Sequence, residues 1–482
     1  MQHDPPGRHR TAEAFREHWR AIAPDLDCDL RLEGAAGPLG APLSVFGRRV
    51  GNRFAIHPME GWDATREGAP GELTLRRWKR FGASGAQLLW GGEAFAVSPD
   101  GRAHPHQLAH GAGADTAASL AALGAALRAG AEAVGDDPRA LVAGLQLTHS
   151  GRFARAPDGS PRPRVAFRHP LLDARVGVED ERAVLSDGEL EALVERYVEL
   201  ALLAREAGFD FVDVKACHGY LVHELLAARS RSGRYGGDLA GRARFLFETI
   251  AAIRAACPDL GIGVRLSVGD VLPHRARGPQ DVGSPEAWPE GVPYLAGFGV
   301  DAKRPTRFDL REPLELLGGL AQRGVREVSV SIGSPYACPH LQRPAAYPPS
   351  DGYLPPEDPL AGVAAHLRLV RACKEAHPGM VFVGAGYTYL QEWLPHVAQH
   401  ELRHGHVDLV GIGRMALSYP TFPRDVLAGR ALDRRRICRT FSDCTTAPRN
   451  GLPSGCYPLD SFYSDRPEAS RLAELKGRGL GR

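Results

Sequence analysis

The chain has 482 residues, with 59 Lys plus Arg against 57 Asp plus Glu and a formal net charge of +2. That balance excludes the basic bias of a nucleic-acid binder. No stretch approaches the roughly 18 to 20 apolar residues of a membrane span, and the opening MQHDPPGRHRTAEAFREHW lacks the apolar run of a signal peptide. A cytoplasmic protein acting on a small molecule is expected, with homo-oligomer formation left open.

Residues 1–45 mix Pro, Gly and charge around one helical stretch and read as an extension packed on a domain. From Asn52 onward, short apolar runs alternate with amphipathic stretches. RFAIHPM precedes ELTLRRWKRFGASG, QLLWGG precedes an Ala/Leu-rich 115–135, and LVAGLQLTH precedes Ser186 to Ala207. Ser186 with Glu189 three residues on predicts a capping box at the start of that third helix. The alternation continues with FVDVK before 241–256, IGVRLSV before 310–323, EVSVSI before 360–376, MVFVGAG before 389–403, and DLVGIG before a short helix. Eight β/α repeats over 46–430 predict an α/β fold of the closed (β/α)8 barrel type rather than a doubly wound sheet. Pro/Gly-rich inserts at 152–184, 269–309 and 335–358 each follow a strand and are expected over the C-terminal mouth, where barrel active sites are built. Residues 431–482 read as an irregular tail containing three cysteines.

AGFDFVDVKACHGYL, 207–221, is the most informative segment. An apolar strand, Phe211 to Val214, ends in three proton-handling side chains, Lys215, His218 and Tyr220. Only five lysines occur in the chain, and one of them is here. At the other side of the barrel, VGAGY at 383–387 and GIGRM at 411–415 end the seventh and eighth strands. Glycines there admit an anion to backbone N–H groups, and Arg414 can close on a phosphate; plain tight turns are the competing reading.

With those loops the chain resembles the old yellow enzyme family of FMN-dependent oxidoreductases over roughly residues 45–430. NRFAIHPM (52–59), WGGEAFAVSPDGR (90–102), GLQLTHSGR (144–152), the 207–221 segment, RYGGDLAGRARF (234–245), GVRLS (263–267) and the phosphate loops carry the resemblance in order. It implies FMN over the barrel mouth, with NAD(P)H as reductant and an activated C=C bond as substrate. By the same resemblance Pro58, Met59 and Ala94 would meet the flavin through backbone, Gln146 its pyrimidine edge and Arg265 its N1–O2 side. Gly386, Tyr387, Gly413 and Arg414 would hold the phosphate, Tyr220 would protonate the substrate, and His218 would bind its carbonyl oxygen.

Two positions depart from the family pattern. Lys215 stands where a His is usual, and could stabilise an oxyanion, clamp a carboxylate or donate a proton. Glu60 stands where a small polar residue or Cys is usual, and could tune the flavin or pair with Lys215; a solvent-facing loop residue is the alternative. Trp62, Trp90, Tyr336 and His340 are candidates for the substrate wall. Cys438, Cys444 and Cys456 fall where a longer branch of the family binds a [4Fe-4S] cluster with four cysteines. Only the last spacing matches, so buried thiols or a zinc-like clip are preferred to a working cluster. The length also leaves no room for that branch's additional domains. Three other readings stay open: flavin-dependent oxidation of a C–N bond, a flavin-free Schiff-base lyase built on Lys215, and a flavin binder without turnover.

Overall fold

The computed structural model describes residues 3–278 and 281–479; two positions of the 269–309 insert, and the chain ends at 1–2 and 480–482, lie outside the described residues. A short hairpin, β1 (Leu43–Val45) and β2 (Arg48–Val50), leads into β3 (Phe54–Ile56). Then follow β4 (Leu88–Leu89), β5 (Ala94–Ala96), β6 (Val142–Thr148), β7 (Phe211–Ala216), β8 (Gly261–Ser267), β9 (Glu327–Ser331), β10 (Val381–Gly384) and β11 (Leu409–Ile412). From β3 on, every neighbouring pair is parallel, in the order β4-β3-β11-β10-β9-β8-β7-β6-β5, and β4 also pairs with β6. That last pairing closes the barrel. β4 and β5 are two halves of the second of its eight staves.

The break between them has a local cause. Gly91 and Gly92 both adopt positive φ, 92° and 55°, and a Cβ on Gly91 would stand 2.7 Å from that of Gln146. Helices Glu72–Gly82, Thr116–Glu132, Asp187–Glu206, Leu239–Ala256, Arg311–Gln322 and Pro359–Ala376 follow successive staves. The predicted capping box forms, with Ser186 and Glu189 each satisfying the other's backbone N–H. The helix expected over 389–403 is instead a 3₁₀ segment, Tyr387–Trp393, kinked within by Gln391 at φ 55°, followed by the helix Leu394–Arg403. Gln391 Oε1 accepts from Gly7 N at 3.0 Å and Arg439 Nη1 at 2.7 Å, so both ends of the chain converge on that kink.

Inside the barrel, the lower layer is apolar. Phe46, at the tip of the hairpin, stacks on Phe211 with ring centres 3.9 Å apart and meets Trp90, which is fully buried. Trp90 is therefore core packing and no part of a substrate wall. The hairpin plugs the N-terminal end and leaves the C-terminal end open. In the tail, helices Asp443–Arg449, Ser461–Ser464 and Glu468–Gly479 are joined by irregular stretches, and the first of them lies against the open end.

Candidate active site

The C-terminal mouth holds a cleft with about 220 Å³ of interior space, opening to solvent above. Strand register builds its floor. Ala94 is level with Gln146 and Gln146 with Asp213, while Lys215 is level with Arg265 on the next strand.

Lys215 is almost fully buried, and its Nζ lies 2.6 Å from Glu60 Oε1. The two departures from the family pattern are thus one ion pair. Glu60 also accepts from Trp62 Nε1 at 3.0 Å, and Trp62 stacks on His104. The loop carrying Glu60 is fixed from behind, because Gly61 N donates to Glu93 Oε2 at 2.9 Å and Glu93 is bonded in turn to Arg77. A Cβ on Gly61 would stand 1.8 Å from Arg77 Nη2. The Lys215 ammonium is also 4.0 Å from the centre of the Tyr220 ring. Burial, reinforced by the Glu60 carboxylate, raises the Tyr220 phenol well above its usual range, so it stays protonated. Its hydroxyl is 3.2 Å from that of Tyr336.

His218 adopts φ 67° at the turn after β7. Its Nε2 accepts from Gln342 Nε2 at 3.1 Å, with Ser331 Oγ at 2.9 Å, which leaves the proton on Nδ1. Burial and the nearby Arg265 and Lys215 charges push its pKa well below the usual value, so the ring is neutral.

Under the cleft, Asp213 accepts from Gln146 Nε2 and from the backbone N–H of Arg265, both at 2.6 Å. Toward the far end, Arg414 donates through Nη2 to Pro344 O at 2.7 Å, and Arg343 through Nη1 to Thr445 Oγ1 at 2.6 Å. Burial, then repulsion from Arg449 and Arg414, lowers the Arg343 pKa to about 9. Arg265 Nε, Arg343 Nη2 and Arg414 Nη1 are buried without a partner among the described residues. Orphaned guanidinium nitrogens in one cleft are the signature of a site shaped for acceptors that a ligand supplies.

Pro58, Met59, Glu60, Trp62, Gln146, Lys215, His218, Tyr220, Arg265 and Tyr336 line this cleft, and so do Gly386, Gly413 and Arg414. Besides Trp90, three predicted residues of the flavin and substrate site do not. The Ala94 carbonyl is taken by Gln107 Nε2 at 3.1 Å, and the Tyr387 side chain turns into the core while Thr388 faces the cleft. His340 lies outside the cleft, bonded through Nδ1 to Tyr353 at 2.7 Å and packed on His274. Sequence reading missed Asp213, Gln342, Arg343 and Arg449. Asp213 alone had a signal, as the one charged residue inside the apolar run FVDV. Cys438, Cys444 and Cys456 border a smaller cavity behind Arg414, and burial raises all three thiols, Cys438 to about 11. Among the described residues no group of three His, Cys, Asp or Glu is placed to hold a metal ion.

Half of the chain, residues 38–279, matches the model of the NADH:flavin oxidoreductase / NADH oxidase family. Among curated relatives, 12-oxophytodienoate reductase 7 of Oryza sativa subsp. japonica is 24% identical over 80% of this chain and 86% of its own length. A metal reductase of Desulforamulus reducens is 34% identical over 72% of this chain, which spans only 43% of that protein. The structure of morphinone reductase in complex with tetrahydroNAD shares the fold, with a TM-score of 0.53 at 22% identity over 82% of this chain and 92% of that one. The matched half contains β3 to β8 together with Glu60, Lys215, His218, Tyr220 and Arg265, and on that match the chain belongs to the NADH:flavin oxidoreductase / NADH oxidase family.

Proposed function

We propose that this protein is an FMN-dependent oxidoreductase of the old yellow enzyme type, using NAD(P)H to reduce an electron-poor C=C bond in a small molecule. The observation that carries this reading is one cleft with a buried protonated tyrosine, two donors beside it, and three guanidinium nitrogens lacking partners. FMN fits that donor set. Its phosphate would be held by Arg414 and Arg343 with the backbone of Gly386 and Gly413, and its ring system by Gln146, Arg265 and the Pro58–Met59 backbone. Bound FMN supplies a two-electron carrier that accepts hydride and passes it on.

The chain's own residues then act on the substrate. Lys215 Nζ and His218 Nδ1 donate to the carbonyl oxygen and stabilise charge that develops there during reduction. Glu60 keeps Lys215 in position. Tyr220 gives its proton to the α-carbon. Trp62 and Tyr336 form the wall. The ion pair also argues against the lyase reading, because an ammonium held by Glu60 has no lone pair with which to attack a carbonyl. Eight unpaired cysteines support residence in a reducing compartment, for which the cytoplasm is proposed.

Anaerobic NADPH should bleach the flavin of the purified protein, and a panel of enones should restore the colour. Tyr220→Phe should slow only the second step, by about 10²–10⁴-fold. A flavin that NADPH cannot bleach, or a variant that reoxidises at the wild-type rate, would sink the proposal.

A further inference from the structure

One cation of the cleft has no task in the reading above. A phosphate monoester carries close to two negative charges at neutral pH, and Arg414 and Arg343, each with a buried nitrogen free of partners, match it. Arg449 is the third guanidinium. It lies at the end of the tail helix Asp443–Arg449 and lines the cleft. Its guanidinium carbon is 5.8 Å from the centre of the Tyr336 ring, whose hydroxyl is 3.2 Å from that of Tyr220. Phe153 stacks on Tyr336 at 3.7 Å and holds the ring in place. Only one aromatic ring separates the proton donor from Arg449.

Asp351 accepts from Arg449 Nη1, and no other acceptor among the described residues engages that guanidinium. Asp351 is 56% exposed and Arg449 14%. A pair with one solvated partner contributes little, so an incoming anion can share or displace it. Lys215 is already paired with Glu60 and is assigned to the substrate's carbonyl oxygen, so it is not the partner of a second, remote anion.

We infer that Arg449 is an anion-recognition site, and that the activated alkene reduced at Tyr220 carries a carboxylate or a phosphate about one aromatic ring away. The planar guanidinium fork accepts either group in a bidentate manner. The reductase reading supplies only the identity of the reacting bond; the anion site itself rests on the position of Arg449.

Isothermal titration calorimetry on the purified full-length protein tests this independently of turnover. The probes are 4-(3-oxobut-1-enyl)benzoate, whose carboxylate stands one ring from the alkene, its neutral carboxamide isostere, and the corresponding aryl phosphate. The acid should bind at least about tenfold more tightly than the amide. That ratio should fall to about one in Arg449→Met, survive in part in Arg449→Lys, and rise in Asp351→Asn, which removes the internal competitor. Comparing the acid with the aryl phosphate tells which anion the site prefers. Equal affinity for acid and amide in the wild type, or a ratio unmoved by Arg449→Met, overturns the inference. Should that variant not fold, a ratio unmoved by Asp351→Asn overturns it equally. A protein that binds the acid selectively but reduces no enone would refute the reductase reading and leave the anion site standing.

Discussion

Asp213 sits beneath the cleft without solvent contact, and its carboxyl is raised by burial from 3.8 to about 6 against the opposing pull of Gln146 and Arg265. Between those two values the native protein keeps a proton that the unfolded chain has released. Stability therefore falls as pH rises through the window, and the loss is complete above about pH 6; at 1.36 kcal/mol per unit the penalty is about 3 kcal/mol. Asp213→Asn removes the titrating group. In urea unfolding of the flavin-loaded protein, the wild type should lose about 3 kcal/mol relative to this variant between about pH 4 and pH 7, with m unchanged. The substitution also strips Arg265 of its counter-charge, which favours a reduced, anionic flavin. The midpoint potential should rise by about 30 mV for each 1.4 kcal/mol of that effect in a two-electron couple. Parallel pH curves for the two proteins would refute the titration of a buried carboxylate. An unmoved potential would refute its coupling to Arg265.

Two further outcomes follow from the loop that carries Glu60. Glu60→Gln strands the buried Lys215 ammonium and should cost about 3 kcal/mol in urea unfolding, and Lys215→Met should strand Glu60 similarly. The double variant should recover much of the loss, whereas simple additivity would show that the pair does not interact. Gly61→Ala would drive a methyl group into an Arg77 guanidinium pinned by Asp63 and Glu93, and should cost about 3 kcal/mol in stability and lower kcat by displacing Glu60. A variant with wild-type Tm and kcat would show that Arg77 yields freely.

The barrel was legible because its signals are local. Eight apolar runs alternate with amphipathic helices, and Ser186 with Glu189 writes a helix start into four residues. Lys215, His218 and Tyr220 were legible for the same reason, since one strand end and its turn carry all three. Arg343, Gln342 and Arg449 were not. Each belongs to an insert or the tail, where no period and no motif marks a residue, and each reaches the cleft only through chain folding back over the mouth. His340 shows the converse, because a plausible residue on the same insert points instead at Tyr353 and His274.

Glu60 marks the boundary between the two kinds of information. Its identity was visible as a departure from the family pattern, and so was that of Lys215, but the two lie 155 positions apart and a solvent-facing Glu60 was an equal alternative. The barrel, its open end and the reactive groups on a single strand end follow from the amino-acid sequence alone, because period, propensity and strand-end chemistry act over a few residues. Which charges neutralise one another is settled by the folded chain. Coulomb energy depends on distance in space and on burial, and those are properties of the closed barrel with its inserts and tail in place.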